Sequence, residues 1–505
     1  MAGADGTAAA GTRPGMAAAG HRPATTTALL VRDRLFIGGD WVAPAGDGTI
    51  TVVSPSTEQP VGGVPDATPA DIDRAVASAR AAFDEGPWPQ MAVEERRAVL
   101  RAGLDRLRVR AGDLDWLTTT QMGAPMHPVG QGTVAVSLFD YFLGVDLPLS
   151  ETRRGDASFG VVCHEPVGVA GIIVPWNAPS IEVVMKVVPA LLVGCTVVLK
   201  PAPETPLDPY LFAEALHDAG LPPGALNVVA ADREVGEELV RDPRVDRIGF
   251  TGSTAAGKRI AGICAEQVKR VGLELGGKSA VVVLDDVDAD QVVPTILAGG
   301  MLVNSGQACS AWTRILVPRS RHEELVDALC DAVADVAVGD PFDPATRVGP
   351  LASARQRDRV EGYVAVGRAE GATVAMGGGR PTDLPVGWYV EPTVFVDVDN
   401  RMRIAQEEIF GPVVAVIDYD GDDDAVRIAN DSVYGLHGGV LGADADRAHA
   451  IARRLRAGTV GVNCLGGDFS CPLGGFKQSG FGRELGPEGF YEYTEIKTYA
   501  FPNAG

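Results

Sequence analysis

From residue 169 onward the apolar positions change rhythm. Short apolar runs at 169–174, 196–200, 226–229 and 247–250 are separated by stretches with helical spacing. This is the pattern of parallel strands joined and covered by helices, as in βαβ units. A second series opens at 280–284 and leads into a helix predicted over 288–303. Earlier in the chain, Thr68 followed by Pro69 and Asp71 marks a helix start, and Ile72, Val76, Ala79 and Phe83 then share one face. The apolar run 183–199 is interrupted by Lys186 and Pro189 and is short for a bilayer span, so it reads as a buried helix running into a strand. The Gly-rich stretch 371–387 predicts a loop, and the acidic stretch 420–424 a solvated turn before another helix. Bulky residues alternate over 490–501, Tyr491, Tyr493 and Tyr499 among them, and predict a strand. No internal repeat is present.

The pattern is that of an α/β protein, and 505 residues exceed the usual span of one hydrophobic core, so two large domains are expected. Apolar and charged fractions of 46% and 22% are those of an ordinary globular chain. A net charge of −22 excludes a broad nucleic-acid surface, which needs concentrated Lys and Arg. Residues 1–28 are rich in Ala, Gly and Thr and lack the apolar centre of a secretory signal. A disordered extension is expected there, with an amphipathic targeting peptide as the alternative. Seven dispersed cysteines without a Cys-x-x-Cys pair point to a reducing, cytoplasmic setting. With no HExxH and only scattered His, no metal site is expected.

The segment Gly272-Leu-Glu-Leu-Gly-Gly277-Lys278-Ser279 formally satisfies a phosphate-loop pattern. A true phosphate loop runs directly into a helix, with its N–H groups turned toward the anion. Here a strand-like Ala280-Val-Val-Val-Leu284 follows, and Glu274 would place a carboxylate among phosphates. A triphosphatase reading is therefore set aside.

Three residues carry candidate chemistry. Cys309 lies among small neighbours in Asn304-Ser-Gly-Gln-Ala-Cys-Ser-Ala311. Buried structural cysteines are common, but small neighbours would let a substrate reach the sulfur, which then needs a base. Glu274, between Leu273 and Leu275, is either a partnered structural charge or a base with a raised pKa. Asn177, in Pro175-Trp-Asn-Ala-Pro179, follows a strand end, where ligands bind in α/β sheets. Its amide could serve a turn or donate to an oxyanion. At a second strand-to-helix turn, in Phe250-Thr-Gly-Ser-Thr-Ala-Ala-Gly257, Gly252 and Ser253 could approach a pyrophosphate.

Taken in order, Pro175-Trp-Asn, Leu199-Lys-Pro, Phe250-Thr-Gly-Ser, Glu274-Leu-Gly-Gly-Lys, Gly306-Gln-Ala-Cys, Glu407-Glu-Ile-Phe-Gly-Pro412 and Gly474-Gly-Phe-Lys-Gln-Ser-Gly480 resemble the aldehyde dehydrogenase superfamily. The likeness runs from about residue 35 to 501. It implies that Cys309 attacks an aldehyde carbonyl, that the Asn177 amide and the Cys309 N–H hold the oxyanion, and that water activated by Glu274 releases the acid. Relatives that pass the acyl group to coenzyme A usually lack that carboxylate, so the acylating reading ranks second. A catalytically silent binding or structural protein of the same fold ranks behind it.

The resemblance also implies a nicotinamide cofactor. Lys200 matches the lysine near the adenosine ribose, Gly252 and Ser253 the pyrophosphate turn, Trp176 the motif beside the site, and Glu408 and Phe410 the pair that positions the nicotinamide ribose and ring. Pro203 stands where many relatives have a ribose-binding Glu, with Glu204 one place later. NAD is the expected cofactor and NADP the alternative. Ala178, Ser310 and Phe469 are expected in the aldehyde pocket, Ala178 replacing a frequent aromatic residue and widening it. Trp312 departs from a small or amide residue, and a bulky or aromatic aldehyde is the expected substrate.

The implied organisation is a Rossmann-like cofactor domain from 29–146 and 167–276, an α/β catalytic domain from 277–478, and a small β oligomerisation element from 147–166 and 479–505. A homodimer or homotetramer is expected, with neither nucleic acid nor membrane as partner.

Overall fold

The computed structural model describes residues 30–155 and 158–502; the predicted extension at 1–28 lies outside them. Two large sheets dominate. The first has eight strands in the order Gly480–Phe481, Arg270–Glu274, Arg247–Thr251, Val169–Ile173, Thr196–Lys200, Leu226–Val228, Leu35–Ile37 and Asp40–Val42. Its five central strands are parallel and its edges antiparallel. From Val169–Ile173 the chain builds outward through the next two strands, then returns to lay Arg247–Thr251 on the other side. That reversal is a topological switch point, where a crevice opens at the carboxyl ends of the strands.

The second sheet has seven strands in the order Thr373–Met376, Thr393–Val396, Val413–Tyr419, Trp312–Pro318, Ser279–Val283, His437–Leu441 and Thr459–Val462. Only its first pair is antiparallel. Successive residues of these strands feed opposite cores. Val197 and Leu199 pack on one face and Val198 on the other, as Val282 does against Val281 and Val283. Burial on both faces explains why the strands read as unbroken apolar runs rather than alternating ones. A third sheet joins Ser150–Arg154, Ser158–Pro166 and Thr494–Pro502.

The helix starting after Thr68 spans Pro69–Asp84, with Asp71 accepting from the Thr68 amide as expected of a capping box. The run at 183–199 is helix Pro179–Val193 followed by strand Thr196–Lys200. Three expectations are corrected. Within 371–387, Thr373–Met376 is an edge strand, not loop. The helix from 288 ends at Gly299, and Val303–Gly306 forms a separate tight turn. At 490–501 the chain first makes the helical turn Glu488–Tyr491, and strand pairing starts only at Thr494. Phe490 lies on that turn and Tyr493 just beyond it, its amide on the Phe490 carbonyl at 3.0 Å, and both are buried, so their spacing served a helical turn rather than a pleat. Among the described residues no helix is long and apolar enough to cross a membrane.

Candidate active site

The thiol is presented by a loop whose backbone is held under strain. Asn304, Ser305 and Gly306 are successively left-handed, with φ of 53°, 57° and 73°. For the first two this costs about 1 kcal/mol or more each, so the surroundings must impose it. Ser305 Oγ accepts from the Gly349 amide at 2.9 Å, and Gln307 Oε1 from the Ala352 amide at 3.0 Å. Asn304 Nδ2 donates to the carbonyls of Asn177 (2.7 Å) and Gln307 (3.1 Å). Glycine is required twice around this loop. A Cβ on Gly306 would lie 2.2 Å from the Gly411 carbonyl oxygen, and one on Gly277 would lie 2.2 Å from that of Cys309.

Asn177 comes to the same loop from the first sheet. It is buried between the strand Val169–Ile173 and the helix Pro179–Val193, and its Nδ2 donates to the Gln307 carbonyl at 3.0 Å. A side-chain amide has two N–H donors, which leaves one available. Its backbone carbonyl accepts from Gln131 Nε2 at 3.1 Å as well as from Asn304. Ala178, half-buried, is the N-cap of that helix, whose positive dipole end faces the site.

Glu274 ends the strand Arg270–Glu274 opposite Thr251, and its carbonyl accepts from the Gly252 amide at 3.0 Å. The carboxylate and the pyrophosphate-type turn are therefore neighbours by strand register. Both carboxylate oxygens are buried without a hydrogen-bond partner. Burial first, then the charge of Glu484, raises its pKa well above the ordinary carboxylate range; Lys186 pulls the other way and Glu182 adds to the rise. Lys186, fully buried, donates to Glu182 Oε2 at 2.7 Å, Glu484 Oε1 at 2.6 Å and Thr251 Oγ1 at 2.5 Å. Burial pulls its pKa down, but Glu182 and Glu484 outweigh it and hold the ammonium above its ordinary value.

Desolvation pushes the Cys309 thiol well up, and the charges of Glu182, Glu408 and Glu274 push it the same way. A thiol so placed rests protonated at neutral pH, and its attack requires a base.

On the cofactor side, Lys200 is buried at the end of its strand, with Nζ on the Pro201 carbonyl at 3.1 Å and its pKa pulled by burial to about 8. Ser253 caps helix Thr254–Glu266, accepting from the Ala256 amide at 3.3 Å, and Gly252 precedes it. Glu408 Oε1 accepts from the Gly277 amide at 2.9 Å, and burial lifts its pKa to about 6. Phe410, left-handed at φ 67°, sets its ring edge-on to Trp176 at 5.4 Å, and its carbonyl accepts from Gln356 Nε2 at 2.6 Å. Glu204 is paired with Arg355 at 3.0 Å.

The segment after Gly272 enters strand Ser279–Val283 rather than a helix, which removes the phosphate-loop geometry. Ser310 is half-buried beside Cys309, and Phe469, also half-buried, faces the Tyr141 ring at 6.1 Å. Trp312 does not line the pocket. It lies in the core of the second sheet, donating to His437 Nδ1 at 2.8 Å, and Gly299 and Gly439 make room for its ring. Among the described residues no cluster of His, Cys, Asp or Glu is placed to hold a metal.

The sequence reading missed Gln131, Asn304, Glu182, Lys186, Glu484 and Gln356. One signal was available: Glu182 and Lys186 stand one helical turn apart at the start of an otherwise apolar run, the spacing of an internal ion pair.

The sequence profile of the Aldehyde dehydrogenase family matches residues 41–499. A geranial dehydrogenase from Castellaniella defragrans is 46% identical over 469 residues, covering 92% of this chain and 98% of its own. A Mycobacterium tuberculosis aldehyde dehydrogenase solved with NAD+ superposes with a TM-score of 0.91 at 46% identity, covering 93% of this chain and 98% of that one. An aldehyde dehydrogenase C mutant from Pseudomonas syringae, solved with NAD+ and octanal, gives 0.89 at 40% identity, covering 95% and 98%. With Cys309, Asn177 and Glu274 converging on one crevice and the match spanning nearly all of the chain, this protein belongs to the aldehyde dehydrogenase family.

Proposed function

We propose that the protein oxidises an aldehyde to the carboxylic acid through a thioester on Cys309. The observation that carries this reading is the meeting of the Cys309 loop with the Asn177 amide, beside a Glu274 carboxylate with both oxygens unpartnered. In this reading the Cys309 proton passes to water in the crevice, the sulfur bonds to the aldehyde carbon, and the carbonyl π electrons move onto oxygen. The spare Asn177 N–H and the Cys309 amide hold the resulting oxyanion, each such donor contributing about 3 kcal/mol to the barrier. NAD, when bound, supplies the acceptor for the hydride that leaves the thiohemiacetal carbon. Gly252 and Ser253 at a helix N-terminus would hold its pyrophosphate, Lys200 and Glu408 its two riboses, and Phe410 with Trp176 would flank the nicotinamide. Glu274 then takes a proton from water, the hydroxide adds to the thioester carbonyl, and the carbon–sulfur bond breaks to free the acid.

Pro203 neither accepts a ribose hydroxyl nor repels a 2′-phosphate, and Glu204 is occupied by Arg355, so NADP is the second cofactor to try. The pocket is read as taking a bulky or long apolar aldehyde, since Ala178 is small and Phe469, expected at the entrance, is half-buried against the Tyr141 ring. Relatives named for geranial and solved with octanal support this.

The first sheet and its helices are assigned as the cofactor domain and the second as the catalytic domain, with Gly480–Phe481 adding an edge to the former. Thr494–Pro502, an edge strand with exposed Ile496, Tyr499 and Phe501, is assigned to assembly of a homodimer or homotetramer. The assigned setting is the cytoplasm.

The test is oxidation of octanal with NAD, reading NADH and product. Octanoic acid formed without coenzyme A, and activity reduced at least about a thousandfold in Cys309→Ala, is the expected result. Octanoyl-coenzyme A as the only product, or full activity without the thiol, would overturn the reading.

A further inference from the structure

The charge around Cys309 is lopsided. Lys186 lies between Glu182 and Glu484, with Glu274 in the same field, so three carboxylates share one ammonium. Two guanidiniums also act on this group, Arg483, held by the carbonyls of Gly475 and Gly482, on Glu274, and Arg247, paired with Glu492 at 2.6 Å, on Glu484, and the acids still outnumber the cations. The three acids differ in access. Both oxygens of Glu274 and Oε2 of Glu484 are sealed from solvent without a partner. Glu182 gives Oε2 to Lys186, whereas its Oε1 makes no hydrogen bond among the described residues and is not among the sealed atoms, so it keeps some accessible surface in an otherwise buried residue. Glu182 stands in the first turn of helix Pro179–Val193, its amide on the Ala178 carbonyl at 2.9 Å, at the end of that helix which meets the Cys309 loop through Asn177. Of the surrounding charges, that of Glu182 bears most strongly on the Cys309 thiol.

We propose that Glu182 is a specificity-determining residue that filters aldehydes by charge. Its open carboxylate oxygen leaves the approach free to uncharged aldehydes and turns away those with a carboxylate within a few bonds of the carbonyl carbon. Like charges within a few ångströms repel far more in a poorly hydrated crevice than in bulk water. The inference rests on Cys309 being the nucleophile and adds the substrate's charge class to that reading.

Iodoacetamide and iodoacetate test it without turnover, since both alkylate a thiol by the same displacement of iodide and differ in charge. Modification is followed on the Cys309 peptide by mass spectrometry. The wild type is expected to react with iodoacetamide much faster than with iodoacetate, relative to a free thiol in the same buffer. Glu182→Gln should narrow that ratio about tenfold, the scale expected for removing one nearby unit charge, and Glu182→Asp should preserve it. Any general change in thiol reactivity cancels in the ratio. In turnover, the kcat/KM preference for butanal over 4-oxobutanoate should fall by a similar factor in Glu182→Gln. A wild type that takes both members of either pair equally, or an unchanged ratio in Glu182→Gln, would overturn the proposal. Failure of the uncharged iodoacetamide to modify Cys309 would instead remove the nucleophile, and the filter with it.

Discussion

Two charges are buried in two parts of the molecule, and they are treated in opposite ways. Arg314, in the second sheet, donates to the carbonyls of Lys278, Ile428 and Ala429 and to Asn400 Oδ1, so that its guanidinium is surrounded by acceptors at 2.8–3.0 Å. Glu274, at the carboxyl edge of the first sheet, has no hydrogen bond to either oxygen. A buried charge with its partners satisfied is a structural fastener, whereas one left unpaired costs several kcal/mol and persists only where something else requires it. The contrast sets Glu274 apart from Arg314 more sharply than burial alone does, since both side chains are nearly inaccessible.

The largest expected effect breaks the Glu274 side of the comparison. Glu274→Gln should lower steady-state oxidation by about a thousandfold, as loss of a general base does, while leaving thermal stability equal to or above that of the wild type. On the same reasoning, wild-type turnover limited by this step should fall as the pH is lowered through the raised pKa of Glu274, because only the carboxylate can take the proton from water. Arg314→Met is its mirror image. Leaving three carbonyls and Asn400 without their donor should cost about 4 kcal/mol in denaturant unfolding, with kcat per folded molecule little changed.

Asn177→Ala comes next, with kcat reduced about a hundredfold and KM nearly constant, the signature of a donor used mainly in the transition state.

The smallest effect concerns a third buried charge that falls between the two extremes. Asp208 is fully buried, hydrogen-bonded by Ser180 Oγ at 2.7 Å and Gln121 Nε2 at 3.0 Å but by no cation, and burial raises its pKa from 3.8 to about 6. The folded protein therefore keeps a proton that the unfolded chain has released between those values, and this site loses stability as the pH rises through that window. Asp208→Asn should remove that slope. Its stability relative to the wild type should increase by about 2 kcal/mol between pH 4 and pH 7 in unfolding curves.

Much of the architecture was legible because parallel strands covered on both faces leave unbroken apolar runs, and Val169–Ile173, Thr196–Lys200, Arg247–Thr251 and Ser279–Val283 all lie where such runs fall. Where bulk was read as a sign of exposure to ligand or of pleating, tertiary packing decided otherwise. Trp312 fills space left by Gly299 and Gly439, and Phe490 packs edge-on to Phe142 at 5.3 Å from a helical turn. The three residues proposed to carry the chemistry stand in motifs that single them out in the sequence. Their supports are not singled out, since Gln131, Asn304 and Glu484 come from distant segments and act through single hydrogen bonds or ion pairs that leave no periodic trace.

The central claim is that Glu274 stays unpaired in order to release the acyl group from Cys309. Rapid mixing of Glu274→Gln with NAD and octanal tests it most directly, followed by mass spectrometry of the intact protein. The account predicts one equivalent of NADH formed in a fast burst, then near-arrest, with an octanoyl group retained on Cys309. Absence of a burst with the thiol left free, or steady turnover at the wild-type rate, would contradict it.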